Sequence, residues 1–263
     1  MTMHTLSKWV LLAIICLCAE TAAAFNSPLN VCASDVDYPP FLYADGGNAE
    51  KSAGLGVDIL QLVMTKLGRP PAVILRLPWL RCLNAVETGK LDMVIDVPTA
   101  EIDPAPYWIT DPYFEVHSVY YYSTKARPGG IDIRNLEQLK RFNVCGLMGN
   151  RYEAFGIDTA KVDTGTRTYT ALVRKLDAGF CDLFLEKSEV IDSLMRRNAE
   201  LRTLLTSPGL QRRDLPEELP SGLHFAISRH MQGGKALQQS INGVIQSLHA
   251  TKDIERLQQP YLH

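Results

Sequence analysis

Short apolar runs alternate with segments of helical periodicity along most of this chain, and that alternation limits the fold class more than any other feature. Apolar runs at 29–33, 73–77 and 93–95 predict three strands. The helical segments between them end at Gly68 and Gly89, because glycine readily adopts the left-handed conformation that terminates a helix. The first half therefore has the order β-α-β-α-β, which is typical of a parallel sheet covered by helices.

The second half repeats this order. Its predicted strands lie at 143–147 and 183–185, with a strand-like aromatic segment at 117–123 before them and a further strand at 223–228 after them. Its predicted helices follow Gly149 and run over 169–176 and 237–248, with a short tail at 253–259. We expect the helix over 237–248 to pack back onto the first half of the chain.

Two segments without clear periodicity predict crossings between two lobes. The segment 124–130 contains a Pro-Gly-Gly turn, and 211–221 is polar and rich in proline. Lobe 1 is accordingly predicted over 25–124 and 222–263, and lobe 2 over 125–221. Because ligands of open α/β sheets bind beyond the carboxyl ends of the strands, the predicted binding site is a cleft between the lobes.

The first 24 residues have the features of an export signal. Lys8 precedes an apolar run, and Ala22-Ala23-Ala24 provides a small-residue cleavage site. The run is shorter than the roughly 20 apolar residues that a membrane-spanning helix needs. We therefore predict a signal peptide at 1–24 and a periplasmic mature protein that is not an integral membrane protein.

Charge and motif content exclude several classes of function. The formal net charge is −2, and no basic stripe indicates nucleic acid or an anionic membrane as a partner. The pair Gly54-Leu-Gly56 lacks the third glycine of a dinucleotide-binding turn, because Ile59 stands there. No Gly-x-Ser-x-Gly element occurs, and the histidines show no metal-ligand spacing. No cofactor and no metal are predicted.

Four cysteines remain after the signal peptide, namely Cys32, Cys82, Cys145 and Cys181. An even number in an oxidising compartment favours disulfides over unpaired buried thiols. Four cysteines allow three pairings. If the two halves are separate lobes, the natural pairing is Cys32 with Cys82 and Cys145 with Cys181.

Several short motifs in order resemble a known family. They are Gly54-Leu-Gly-Val-Asp58, Leu77-Pro-Trp79-Leu-Arg81, Gly89-Lys-Leu-Asp92, Thr110-Asp-Pro-Tyr113 and Ala178-Gly-Phe-Cys-Asp182. In this order and spacing the chain resembles a divergent periplasmic solute-binding protein of the amino-acid-binding type, family 3 of the bacterial extracellular solute-binding proteins. The resemblance implies an α/β fold with two lobes, type II, and no enzymatic activity. It also implies a monomer that closes on a small-molecule ligand and delivers it to an ABC-type permease or a sensor in the inner membrane.

Two departures from the family concern the ligand. Amino-acid binders carry an arginine about seven residues before the Thr-Asp-Pro-Tyr element, where it holds the ligand carboxylate. Here no lysine or arginine occurs between Lys90 and Lys125. Relatives also hold the ligand amine with an aspartate after the Gly-x-x-Asp strand, and Glu186 stands near that position. We therefore expect a ligand other than a standard free amino acid.

Aromatic candidates come from loops of the first lobe. By the resemblance, Tyr38 and Phe41 form one wall of the cleft; alternatively, Pro39-Pro40 stiffens a loop whose aromatic rings cap the core. Trp79 lies at a strand-to-helix junction and could stack on an apolar or cationic group, although a core position is equally consistent.

Charged and hydroxyl candidates follow at the ends of other predicted strands. Arg81 opposes the dipole of its helix, which suggests a role in binding an acidic group; alternatively, it pairs with Glu50, Asp96 or Glu101. In the second lobe, Asn150, Arg151 and Tyr152 follow Gly149 at a predicted helix start, where backbone N–H groups favour anions. The alternatives are a solvated helix start and a core tyrosine.

Acidic residues dominate the remaining candidates. By the resemblance, Asp96 and Thr99 supply contacts to the ligand amine. Together with Glu101, Asp103 and Glu186, Asp96 favours a polyamine-like, betaine-like or peptide ligand. Alternatively, each of these acidic residues is a solvated loop charge.

Two other classes of function remain open. Glu186 and Asp96 could form the acid/base pair of a dehydratase-like enzyme on the same fold. The segments Val31-Cys-Ala33 and Asp96-Val-Pro98 loosely resemble accessory proteins of periplasmic dehydrogenases. A protein of that kind would bind a protein partner in its cleft.

Overall fold

A computed structural model describes residues 27–46, 48–99, 102–150, 152–216 and 221–262. The predicted signal peptide and the start of the mature chain lie outside these residues. No helix in the described part of the chain is long and apolar enough to cross a membrane.

The structure alternates strands and helices. The strands are β1 Asn30–Ser34, β2 Tyr43–Asp45, β3 Asn48–Ala53, β4 Val73–Leu77, β5 Met93–Pro98, β6 Tyr107–Ile109, β7 Phe114–Val116, β8 Ser118–Ser123, β9 Val144–Leu147, β10 Asp163–Thr166, β11 Leu183–Lys187, β12 Leu210–Asp214 and β13 Ser221–Ser228. The α-helices are α1 Leu55–Lys66, α2 Trp79–Glu87, α3 Tyr169–Asp177, α4 Ser188–Arg197, α5 Ala199–Leu205, α6 Gly234–Ala250 and α7 Asp253–Leu262.

The first sheet contains β1 and β4 to β7 together with the late strand β13. Its order is β4-β1-β5-β13-β6, and β7 also pairs with β13. Strands β1, β4 and β5 are parallel, as predicted, with α1 and α2 between them. Buried side chains cover both faces of this sheet, which explains why its strands are nearly continuous apolar runs.

The second sheet has the order β10-β9-β11-β8-β12. Strand β8 is antiparallel to β11 and β12, whereas β9 is parallel to β10 and β11. Two apolar clusters lie on its two faces. Both halves of the chain thus contain a helix-covered sheet with a parallel core.

The chain passes between the sheets earlier than predicted. Only His117 separates β7 of the first sheet from β8 of the second. The predicted crossing at 124–130 therefore follows a strand that is already part of the second sheet, and its Pro-Gly-Gly turn is a loop of that sheet. The segment predicted for the return crossing, 211–221, begins with residues of β12, which belongs to the second sheet; the first sheet resumes with β13 at Ser221.

The helix predicted after Gly149 is not formed by the described residues. A three-residue 3-10 turn, Glu153–Phe155, stands there and ends at Gly156, whose φ is 69°. The other predicted helices are confirmed with small differences in bounds. The tail predicted at 253–259 is the helix α7, which packs on α1, α4 and α6.

Each half contains one disulfide. Cys32 on β1 pairs with Cys82 on α2, with a Cα–Cα distance of 5.6 Å. Cys145 on β9 pairs with Cys181 just before β11, with a Cα–Cα distance of 5.8 Å. This is the pairing expected for two separate lobes.

The Thr110-Asp-Pro-Tyr113 motif connects the first sheet to α6. The backbone N–H of Asp111 donates to Asn242 Oδ1 at 2.9 Å, and Asn242 Nδ2 donates back to Asp111 Oδ1 at 2.8 Å. Gln246 Nε2 adds a bond to Asp111 Oδ2 at 3.2 Å. The aspartate of the motif therefore holds the predicted late helix on the first sheet.

Candidate functional site

The candidate residues lie in loops and helix starts at the carboxyl ends of parallel strands. In the first sheet, Tyr38 follows β1, Trp79 follows β4 and Asp96 lies near the end of β5. In the second sheet, Tyr152 follows β9 and Glu186 lies near the end of β11. Parallel strands end at one edge, so each sheet brings its own candidates together.

Asp96 occupies an irregular point in β5. The pairing of β5 with β13 shifts register between Val94 and Val97, and Asp96 has a φ of 56°, which is unusual for a residue other than glycine. Its carboxylate packs against Gly56 in the first turn of α1, where no Cβ would fit. The carboxylate of Asp96 thus lies at the start of α1, where Gly56 makes room for it.

Tyr113 binds Asp96 through two hydrogen bonds. The tyrosine hydroxyl donates to Asp96 Oδ1 and accepts from the backbone N–H of Asp96 at 3.1 Å. The other carboxylate oxygen, Oδ2, is buried and has no hydrogen-bond partner among the described residues. Burial raises the pKa of Asp96 to about 6, although the hydrogen bond from Tyr113 acts in the opposite direction.

Glu186 is the corresponding carboxylate of the second sheet. It is buried, its Oε2 accepts from the hydroxyl of Tyr169, and its Oε1 accepts from the backbone N–H of Lys187 at 2.8 Å. Burial raises the pKa of Glu186, whereas these hydrogen bonds and the charge of Lys187 lower it. Both oxygens of this carboxylate thus have partners in the protein.

Lys187 is itself buried beside Glu186. Its Nζ donates to Ser118 Oγ at 2.8 Å and lies 4.9 Å from the centre of the Phe155 ring. A buried ammonium needs such partners, because an unpaired one would be strongly destabilising. The second sheet therefore places a positive charge close to its own carboxylate.

Tyr38 brings the two sets of residues into one electrostatic environment. Burial and Asp96 raise the pKa of Tyr113 well above its usual value, and Tyr38 adds to this effect. Burial and Glu186 likewise raise the pKa of Tyr169, with a further contribution from Tyr38. One tyrosine of the first sheet thus interacts electrostatically with the tyrosines of both carboxylates, which fits two carboxyl edges that face a common cleft.

Tyr152 is buried behind this edge. Its hydroxyl accepts from the backbone N–H of Leu147 at 2.9 Å, and Gly146 leaves no room for a Cβ beside the ring. Burial raises the pKa of Tyr152 to about 12. Asn150 is exposed, and its side chain bonds Tyr152, whereas Arg151 lies outside the described residues.

Four other candidates lie apart from the two carboxylates. Phe41 is fully buried in the core of the first sheet, with its ring 5.1 Å from that of Phe114, as the core alternative describes. Trp79 is half-buried against the apolar cluster around the first disulfide. Arg81 and Thr99 are exposed, and Arg81 belongs to none of the ion pairs within the described ranges.

Two residues of the site were not candidates in the sequence. Tyr113 was noticed only as the end of the Thr-Asp-Pro-Tyr motif, and Tyr169 only as the start of a predicted helix. The available signal for Tyr169 was its place directly after β10, since helix starts of this kind lie at the ligand edge. The contacts of the Tyr113 and Tyr169 hydroxyl groups depend on which strands pair in the sheets, and the sequence does not reveal that pairing.

The described residues contain no group of three or more His, Cys, Asp or Glu side chains that could hold a metal ion. The arrangement instead offers two buried carboxylates, each hydrogen-bonded by a tyrosine, at the facing edges of two sheets.

Comparison with known proteins agrees with this architecture. Residues 31–263 match the family model described as bacterial extracellular solute-binding proteins, family 3. A search of curated protein sequences found no match.

Solved structures with the same fold include three with different functions. An ancestral arginine-binding protein bound to arginine is 20% identical, with a TM-score of 0.62, covering 91% of this chain and 100% of that one. A structure reported for glutathione import through the cystine ABC importer of Streptococcus mutans is 15% identical, with a TM-score of 0.67, covering 90% and 95%. A histidine kinase sensor domain similar to periplasmic binding proteins is 18% identical, with a TM-score of 0.65, covering 90% and 97%. The fold is the two-lobe, type II fold of periplasmic binding proteins.

Proposed function

The chain belongs to the bacterial extracellular solute-binding proteins, family 3, and we propose that it captures a small polar solute between its lobes in the periplasm. Closure around the solute then presents the protein to an ABC-type importer or to a sensor. Similar structures of both kinds, a component of an importer and a sensor domain, support these two outputs.

The observation that carries this proposal is the pair of carboxylates at facing edges of the sheets. The carboxylates of Asp96 from the first sheet and Glu186 from the second are each buried and bonded by a tyrosine. Tyr38 influences the tyrosines of both pairs. A polar cleft lined from two sheets is what a protein needs in order to couple solute binding to lobe closure.

We place the boundary between the lobes at His117. Lobe 1 then comprises 27–116 and 221–262, and lobe 2 comprises 118–214. His117 Nδ1 lies 2.7 Å from Glu189 Oε1, and its backbone N–H donates to Glu189 Oε2 at 3.1 Å. The backbone N–H of Ser188 donates to the carbonyl of His117 at 2.7 Å. The connection between β7 and β8 at His117 is thus hydrogen-bonded to the start of α4.

The solute we propose is not a standard free amino acid. The sequence has no lysine or arginine between Lys90 and Lys125, where relatives hold a carboxylate, and Arg81 is exposed. The residues that we propose to lie nearest the solute are Asp96, Glu186, Tyr38 and Tyr152. Trp79, Thr99 and Asn150 would lie farther out, and Arg81 would contact only an extended solute.

A thermal-shift screen tests the function. Mature protein, unfolded to remove bound solute and refolded, is screened against amino acids, polyamines, betaines, short peptides and organic acids. A solute at about 100 times its dissociation constant should stabilise the protein by roughly 2.7 kcal/mol. A shift with one chemical class supports solute capture. The absence of any shift contradicts it and favours a protein partner, which a pull-down from periplasmic extract would then seek.

A further inference from the structure

The two carboxylates of the cleft differ in the charges around them. Burial raises the pKa of Glu186, but two hydrogen bonds and the charge of Lys187 oppose that shift, and both of its oxygens accept hydrogen bonds from the protein. Asp96 has only Tyr113, a neutral partner, and forms no ion pair with any described residue. The charge of Glu186 is therefore partly balanced within the protein, whereas that of Asp96 is not.

An ionised carboxylate that is buried without a balancing charge destabilises the protein. One oxygen of Asp96, Oδ2, is buried and has no hydrogen-bond partner within the described ranges. A bound cation would supply both the missing charge and the missing donor. A neutral or anionic solute would leave Oδ2 without either.

We propose that the solute is an organic cation whose positively charged group binds Asp96 of the first lobe rather than Glu186 of the second. This inference rests on the proposed function. It reverses the arrangement that the family resemblance implies, in which the acidic residue of the second lobe holds the amine. Because the site offers no carboxylate clamp, the solute needs no acidic group, and amines, guanidines and quaternary ammonium compounds form its chemical class.

The environment of Asp96 predicts how binding responds to pH. Three titratable groups lie around Asp96. Tyr113, on the β6–β7 connection, binds it directly, and Tyr38, in the loop after β1, acts on Tyr113. His224 is on the neighbouring strand β13. Burial raises the pKa of both carboxylates and lowers that of His224, whose Nδ1 lies 2.8 Å from the carbonyl oxygen of Thr110. The pKa of Tyr113 is raised well above its usual value, so its hydroxyl stays protonated over this pH range. Mutation therefore needs to distinguish the effects of Asp96, Glu186 and His224.

Calorimetric titration at pH 7.5 tests the assignment directly. The probes are putrescine, agmatine, choline and glycine betaine, with L-arginine, L-glutamate and succinate for comparison. At least one of the first three should bind, and Asp96→Asn should weaken it by about tenfold or more, the usual effect of losing a bond to a charged group. Glu186→Gln should weaken it less. Asp132→Asn, at an exposed surface carboxylate, is the matched control and should leave binding unchanged.

The same titration at pH 5.0 gives a second readout, and its first comparison needs only the wild-type protein. With the pKa of Asp96 at about 6, protonation should weaken cation binding about tenfold between pH 7.5 and pH 5.0. Asp96→Asn should abolish this pH dependence, whereas His224→Gln should keep it.

The outcomes separate the inference from the proposed function. Tight binding of succinate or L-glutamate, or a larger loss in Glu186→Gln than in Asp96→Asn, overturns the inference but leaves solute capture intact. If no probe binds but the wider thermal-shift screen finds a solute of another class, only the inference fails; if that screen also finds none, the proposed function fails with it.

Discussion

The two lobes share one plan but differ at one point. Each contains a helix-covered sheet, a disulfide to a central strand, and a buried carboxylate bonded by a tyrosine. In the second lobe Glu186 has two hydrogen bonds and a nearby lysine. In the first lobe Asp96 sits on a β-bulge with a positive φ and one buried oxygen without a partner among the described residues.

This difference separates a carboxylate that the protein already stabilises from one that it leaves unbalanced. Strained backbone and unpaired buried groups persist where they serve binding. This contrast is the basis of the proposal that a cationic solute binds Asp96 rather than Glu186. Changes to matching residues in the two lobes should reveal this asymmetry.

Removal of one disulfide at a time should have the largest effect on stability. The cysteines are 50 residues apart in the first lobe and 36 in the second. In the chain-entropy model such loops each stabilise the folded state by about 4 kcal/mol. Cys32→Ala/Cys82→Ala and Cys145→Ala/Cys181→Ala should thus lose similar free energies of unfolding in urea titration. A loss confined to one pair would show that the lobes depend on their disulfides unequally.

Asp96→Asn should change how stability depends on pH, by up to about 3 kcal/mol. The pKa of Asp96 is about 6 in the folded protein, above its value in the unfolded chain. Between about pH 4 and pH 6 the folded state therefore holds more protons, and this contribution to stability is lost as pH rises. The asparagine side chain of the variant carries no charge, so the variant should gain stability relative to the wild type as pH rises over this range.

Urea titrations of the solute-free protein at several pH values measure this difference. Asp132→Asn serves as the surface control. A constant difference between Asp96→Asn and the wild type from pH 4 to pH 7 would mean that Asp96 is not the group that titrates there.

Much of the fold was predictable from the sequence because it follows local rules. Apolar runs indicated the strands β1, β4, β5, β8, β9, β11 and β13, although the remaining strands were not predicted. Glycines after helical stripes, such as Gly68 and Gly89, marked helix ends. The crossing was misplaced because an aromatic strand and a Pro-Gly-Gly turn carry no information about the sheet to which the strand belongs. That membership depends on the pairing of β8 with β11 and β12.

The site was less predictable because its chemistry depends on distant contacts. Asp96 and Glu186 were identified by their places after strands. Their tyrosine partners were not, since Tyr113 and Tyr169 each reach a carboxylate 17 residues away in sequence. Phe41 illustrates the opposite case, because a loop position that suggests the cleft can still place a ring in the core.

Removing the tyrosine hydroxyls should affect the lobes unequally. Tyr113→Phe leaves Asp96 without its only side-chain partner among the described residues and its backbone N–H without an acceptor, and should cost about 2 kcal/mol. Tyr169→Phe should cost about 1 kcal/mol, because Glu186 keeps the bond from Lys187. Urea titration at pH 7.5 compares the two variants. Equal losses would contradict the asymmetry between the carboxylates.

The smallest expected effect lies where the lobes touch outside the cleft. Arg196 on α4 of lobe 2 donates to the carbonyl of Leu262 at 3.1 Å and to that of Tyr261, on α7. Tyr261 in turn donates to Asp58 Oδ2 on α1 of lobe 1 at 2.5 Å. Helix α7 is thereby attached to both lobes.

Arg196→Ala should lower the free energy of unfolding by about 1 kcal/mol or less, since these bonds are exposed to solvent. It should also widen the distribution of distances between the lobes, because closure would lose a contact that does not involve the solute. Arg202→Ala, at an exposed site on α5, is the control. Small-angle scattering of the solute-free variants measures the distribution. An unchanged radius of gyration would mean that the hinge near His117 and the cleft residues alone set the separation of the lobes.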